Sequence, residues 1–166
     1  MRTIALSAAA LLASALAAPG ALAAPPTVSV AIGPELQKKA EKTYGVRDVQ
    51  RLADELREDV EKALAKSGRH EDARVELVLT DAKPNRPTFK QLGDTPGLSM
   101  ESFGVGGAAI EGRIVAADGT ATPVAYSWYE TDIRQAWGDW VWSDATHSFN
   151  RFATRLARND ARLAQR

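Results

Sequence analysis

The sequence predicts a small α/β (α+β) domain, an antiparallel or mixed sheet with two principal helices packed on one face. Three observations carry that expectation. Residues 108–132 alternate apolar and polar side chains around Asp118-Gly119, the pattern of a β-hairpin. Residues 47–66 place apolar side chains on one helical stripe. A second stripe of Phe149, Phe152, Ala153, Leu156, Ala157 and Leu163 closes the chain. A half-buried sheet and two one-sided helices bury their apolar faces best against each other.

Residues 1–23 read as a secretory signal peptide. Arg2 supplies the positive end, an Ala/Leu run follows, and Ala21-Leu22-Ala23 is the cleavage site, leaving Ala24 first. A cut after Ala17 is the alternative. The apolar run is short for a membrane anchor, because about 20 apolar residues are needed to span a bilayer, and Pro19-Gly20 interrupts it. Residues 24–166 are then expected to form a single domain. The chain holds no cysteine. A covalent lipid anchor of the lipoprotein kind is therefore not expected, and stability must come from packing rather than disulfides. With 21 basic and 21 acidic residues the formal charge is zero, so nothing draws the chain electrostatically to nucleic acid or to an anionic membrane.

Val28, Val30 and Ile32 alternate with Ser29 and Ala31, giving a first strand that Gly33-Pro34 ends. Leu36, Ala40 and Tyr44 recur every four residues, a short helix stopped at Gly45 or a partly ordered loop. The helix over residues 47–66 buries Val49, Leu52, Ala53, Leu56, Val60, Ala63 and Leu64. Its other side is charged, with Arg51 and Glu55 one turn apart as an attractive pair. Gly68 closes it, and His70 falls in an exposed polar turn. Residues 72–81 make a second strand with Val75, Leu77 and Leu79 on one face. Residues 81–97, rich in proline, read as a long loop around Pro84, Asn85, Arg86, Pro87 and Lys90, pinned by Phe89 and Leu92 and either functional or mobile. Gly104, Gly106 and Gly107 precede a strand rather than a helix, so they do not form a nucleotide-binding fingerprint.

The hairpin's register follows from its apolar residues. A two-residue turn at Asp118-Gly119 would set Ile114 opposite Pro123 and split the two apolar faces. A three-residue loop of Ala117, Asp118 and Gly119 sets Ile114 opposite Thr122, Gly112 opposite Val124, Ile110 opposite Tyr126 and Ala108 opposite Trp128. Both apolar faces then coincide, Gly119 takes a left-handed conformation, and Gly112 makes room for a large neighbour such as Tyr126. Glu111 and Arg113 fall on the opposite face, where an active surface on the sheet would lie.

No catalytic, cofactor-binding or metal-binding residue is assigned from sequence. Trp137, Trp140 and Trp142 stand in an irregular connection, either capping the core or forming an aromatic platform for a glycan or an extended peptide. Ser143 or Asp144 caps the last helix. Arg151, Arg155, Arg158, Arg162 and Arg166 make its far side basic, a solvated face or a docking surface for an acidic partner. Asp139, Asp144 and His147 form a conceivable mixed metal site, although such pairs are more often local hydrogen-bonding arrangements. Glu111, Glu130 and Asp132 are candidates for acid–base work in a hydrolase.

The run GGAAIEGRIVAADGT, followed by PVAYSWYETD and a helix with Phe149 and Phe152, resembles a family of uncharacterised proteobacterial envelope proteins, many of them lipoproteins. LVLTDAKP at residues 77–84 and the helix over residues 47–66 also fit. The resemblance covers residues 28–160. It implies a small α/β domain distantly similar to those of envelope assembly lipoproteins such as the curli-secretion component, and it brings no catalytic residues. This chain lacks the family's lipobox, and Ala116-Ala117-Asp118-Gly119-Thr120 stands where members carry an Asp-Ser-x-Thr-Gly-Glu-like turn. The expectation is a periplasmic binding or envelope-maintenance protein without catalysis, its partner an envelope protein or a glycan. A small periplasmic hydrolase is the alternative.

Overall fold

The computed structural model describes residues 24–158 and Leu163. Residues 1–23, on which the signal-peptide expectation rests, and Arg162 and Arg166 lie outside the described residues. The order is β1 (Thr27–Ile32), α1 (Pro34–Lys39) with a π-helical turn over Ala40–Tyr44, α2 (Val46–Ser67), β2 (Arg74–Lys83), α3 (Phe89–Asp94), β3 (Gly107–Val115), β4 (Ala121–Tyr129), a 3-10 turn over Ile133–Gly138, and α4 (Ser143–Ala157). The sheet order is β1-β2-β3-β4. β1 and β2 are parallel, and the other two pairings are antiparallel. The fold is thus α+β, with a mixed sheet and the two long helices on one face.

The hairpin has the register that the coincidence of apolar faces requires. Ile114 pairs with Thr122, Gly112 with Val124, Ile110 with Tyr126 and Ala108 with Trp128. Ala116 N–H donates to the Thr120 carbonyl at 2.9 Å, and Gly119 N–H to the Ala116 carbonyl at 2.9 Å. Gly119 has φ +86°, a conformation that costs a side-chain-free residue nothing. The large neighbour of Gly112 is not Tyr126 but the β2 backbone: a Cβ there would lie 2.2 Å from the Glu76 carbonyl oxygen.

α2 buries Val49, Leu52, Ala53, Leu56, Val60 and Leu64, and Gly68 stops it with φ +61° and an N–H donated to the Leu64 carbonyl. Ala63 is only half-buried. Arg51 pairs with Asp48 rather than Glu55, because the i,i−3 carboxylate is equally within reach of the guanidinium. His70 is half-buried with φ +59°, not exposed. α4 contributes Ala145, Phe149, Phe152, Ala153 and Leu156 to the same core, with the Phe152 ring 6.1 Å from that of Tyr126.

β2 runs two residues further than its alternation indicates. A bulge between Leu79 and Asp81 shifts the register, so the core position passes from odd to even residues and Ala82, not Asp81, is buried. An extra residue in one strand reverses which side chains face the core. On the uncovered face Arg113 pairs with Glu76 at 2.7 Å, its cross-strand neighbour. That places Arg113 where the hairpin register requires and commits it to an ordinary surface ladder.

Candidate functional site

The loops between β2 and β3 and between β4 and α4 meet at the end of the sheet where β2 and β4 finish and α2 and α4 begin. Their centre is Asn85, 1% exposed. Its Nδ2 donates to Asp144 Oδ2 at 2.6 Å, to Asp139 Oδ2 at 3.2 Å and to the Gly104 carbonyl at 3.3 Å. Its Oδ1 accepts from the Asp144 backbone N–H at 2.9 Å. Asp144 also accepts from Gly106 N–H at 2.8 Å. The start of α4 is thus capped from a distant loop. Neither Ser143 nor Asp144 caps it: the Ser143 hydroxyl accepts from Trp140 N–H at 2.8 Å, and the Asp144 carboxylate is turned to Asn85 and Gly106. Asp139 and Asp144 do converge, but on an amide. Burial, then the Asp144 charge, push the Asp139 carboxyl above the usual range.

Arg86 ties the surrounding backbone together. Its guanidinium donates to the carbonyls of Asp139, Met100 (2.8 Å) and Trp137 (2.8 Å), and it lies 5.9 Å from the centre of the Phe103 ring. The segment read as one long loop contains α3, which opens with a full capping box: Thr88 Oγ1 accepts from Gln91 N–H, and Gln91 Oε1 accepts from Thr88 N–H. Phe89 does not pin this segment to the body. It is 79% exposed, because the cap and Arg86 hold the backbone while the ring projects outward.

Beside this hub a groove of about 510 Å³ opens between the first halves of α2 and α4. Asp48, Arg51 and Glu55 line one side, and Thr146, His147 and Asn150 the other. Val141 and Trp142 also line it, together with Phe89, Met100 and Trp140 from the loops. The three tryptophans of the connection divide. Trp142 is buried, edge-on to Tyr44 with ring centroids 5.6 Å apart, and its Nε1–H has no acceptor among the described residues. Trp140 and Trp137 are 67% and 73% exposed. Only one of the three therefore caps the core.

The other nominated residues stand apart. His147 faces Trp128, 5.1 Å between ring centroids, and its Nε2 accepts from Arg151 Nε at 2.7 Å, so it does not join Asp139 and Asp144. Glu130 Oε1 accepts from the N–H groups of Thr131 and Asp132. Asp132 accepts from the Arg134 backbone and pairs with its side chain at 2.7 Å. Glu130 N–H bonds to Gly106, while Glu111 pairs with Ala125 well up the hairpin; the two carboxylates do not share a site. Among the described residues no group of three or more His, Asp or Glu side chains is placed to hold a metal ion. Arg151 and Arg155 are not a free basic stripe. They lie over the Trp128 and Tyr126 rings at 4.6 and 5.1 Å, roofing the outer strand through cation–π contact.

No protein-family model matches the chain, and no curated protein matches it. No helix among the described residues is long and apolar enough to cross a membrane.

A second polar cluster lies where the β2 bulge turns Asp81 away from the core. Lys39 Nζ and Tyr129 Oη each donate to Asp81, both at 2.7 Å. Burial works against the Asp81 charge, but these two bonds outweigh it and hold its pKa below the ordinary value. Burial, and then Asp81, push the Tyr129 phenol up. The cluster fastens α1 to the sheet. Sequence reasoning missed it and Asn85, although Asn85-Arg86 between two prolines was a signal: a long loop packed on a domain must find partners for its backbone polar groups.

Proposed function

We propose that this protein is a non-catalytic binding protein of the periplasm that serves the cell envelope, with the groove between α2 and α4 as its site. One observation carries the reading: Trp140 and Phe89 expose most of their area at the mouth of a groove whose backbone is anchored by Arg86 and Asn85. Large exposed rings on a fixed frame are costly to leave in water and favour association. The character of residues 1–23 and the resemblance to envelope proteins support the compartment. Of the nominated carboxylates, Glu130 and Asp132 hold a turn and Asp139 and Asp144 hold the Asn85 loop, which favours binding over chemistry.

The test is crosslinking of the tagged chain in an envelope extract, followed by capture and mass spectrometry, with Trp140→Ala/Phe89→Ala as the comparison. The proposal expects at least one envelope component to be captured by the native chain and lost from the double variant. Recovery of general chaperones alone, equally by both, would sink it.

A further inference from the structure

Building on that reading, we infer that the groove takes an uncharged, hydroxyl-rich glycan strand, with one sugar ring stacked on Trp140. The argument rests on what the groove offers and what it would penalise. A pyranose presents an apolar C–H face and a periphery of hydroxyls that both donate and accept. Trp140 supplies the matching flat surface, and the peptide group that precedes it is held at both ends: the Trp140 N–H donates to Ser143 Oγ at 2.8 Å, and the Asp139 carbonyl accepts from Arg86. The two helices supply polar groups suited to hydroxyls. Asn150 uses its amide to donate to the Thr146 carbonyl at 3.1 Å, leaving its oxygen to accept. Glu55 lines the groove and makes no salt bridge among the described residues, whereas Asp48 is paired with Arg51.

Other ligand classes fit worse. A phosphate-bearing chain would meet Glu55 and Asp48 with only Arg51 to oppose them. An apolar helix would have to desolvate all three of those charges. A volume of about 510 Å³ lies within the range of small-ligand sites, roughly 300–1,000 Å³, and the groove is open rather than enclosed, as a strand passing through requires.

The experiment titrates the purified protein with two soluble probes, a β-1,4-linked N-acetylglucosamine tetramer and an α-1,4-linked glucose tetramer. Intrinsic tryptophan fluorescence and calorimetry provide the readouts. At least one tetramer is expected to bind and to shift the emission. Trp140→Ala, at an exposed position, should weaken binding tenfold or more without altering the thermal transition. Glu55→Gln should weaken it several-fold. No Trp140-dependent binding of either tetramer up to about 10 mM, beyond the millimolar affinities that mark weak association, overturns the inference. If the envelope capture nevertheless yields a Trp140-dependent protein partner, the glycan assignment alone has failed. If that capture fails as well, the groove itself is not the binding site.

Discussion

Replacing Asn85 by alanine tests whether one side chain organises the loop end of the molecule. The change removes the 2.6 Å bond to the Asp144 carboxylate and the longer contacts to Asp139 and Gly104. It also strips the acceptor from the buried Asp144 N–H. A hydrogen bond to a charged group contributes about 1.5–3 kcal/mol, and an orphaned buried donor costs about 1–3 kcal/mol. The two costs partly overlap, because Asp144 retains Gly106 N–H, so the expected loss is about 3–5 kcal/mol. That is a large share of the roughly 5–15 kcal/mol typical of a domain, and it corresponds to a fall in Tm of roughly 10–20 °C. Urea unfolding followed by circular dichroism measures the loss, and a double-mutant cycle with Asp144→Ala isolates the coupling. A loss below about 1 kcal/mol with unchanged denaturant slope would show that water replaces the side chain and that Asn85 is no hub.

The remaining expectations concern charge, space and the sheet. Asp139 has a raised folded-state pKa, so its favourable contribution is present below the unfolded value and is lost as pH rises through the folded one. Asp139→Asn is therefore expected to raise urea resistance at pH 7, by less than about 1 kcal/mol for a partly exposed group, and to do nothing near pH 3; equal effects at both values would refute the assignment. The depressed Asp81 contributes stability above its unfolded pKa that is lost as pH falls through the folded one. The raised Tyr129 contributes stability below its unfolded pKa of about 10 that is lost as pH rises. Tyr129→Phe should remove part of both the acid and the alkaline dependence, and unfolding midpoints measured from pH 2 to pH 11 check it. Gly106→Ala would place a Cβ 2.6 Å from the Lys83 carbonyl oxygen and 2.7 Å from Asn85 Oδ1, an overpacking that costs about 1–3 kcal/mol. Gly138→Ala meets nothing within 4 Å and serves as the thermal-melt control. Arg155→Ala should destabilise by about 0.5–1 kcal/mol by uncovering Tyr126, with no change on Arg158→Ala.

Much of the framework is legible because it depends on neighbouring residues. The spacing of Val49, Leu52, Leu56, Val60 and Leu64 makes a one-sided helix before any partner is known. The hairpin register follows from two apolar faces and a glycine able to take positive φ. The same reasoning fails at residues 80–82, where the bulge breaks the alternation on which it relies. It also fails at α3, whose six residues are too few for a period and whose start is marked only by Thr88 and Gln91. For the candidate site the sequence offers the right residue types without their assignments. Trp137, Trp140 and Trp142 lie within one connection, yet only Trp142 is buried, packed edge-on against Tyr44. Asp144 and His147 share a helix turn, yet one faces Asn85 and the other Trp128.

By itself, then, the sequence determined the two amphipathic helices, the hairpin and the face of the sheet they cover, because apolar period and turn chemistry are properties of consecutive residues. Only the tertiary structure decided that Asn85 caps a helix 59 positions away, that Asp81 leaves the core, and that α2 and α4 part to leave a groove beneath Trp140. These outcomes depend on how buried polar groups are satisfied across distant segments. Many pairings of such groups satisfy the same local pattern, and the packed chain selects one.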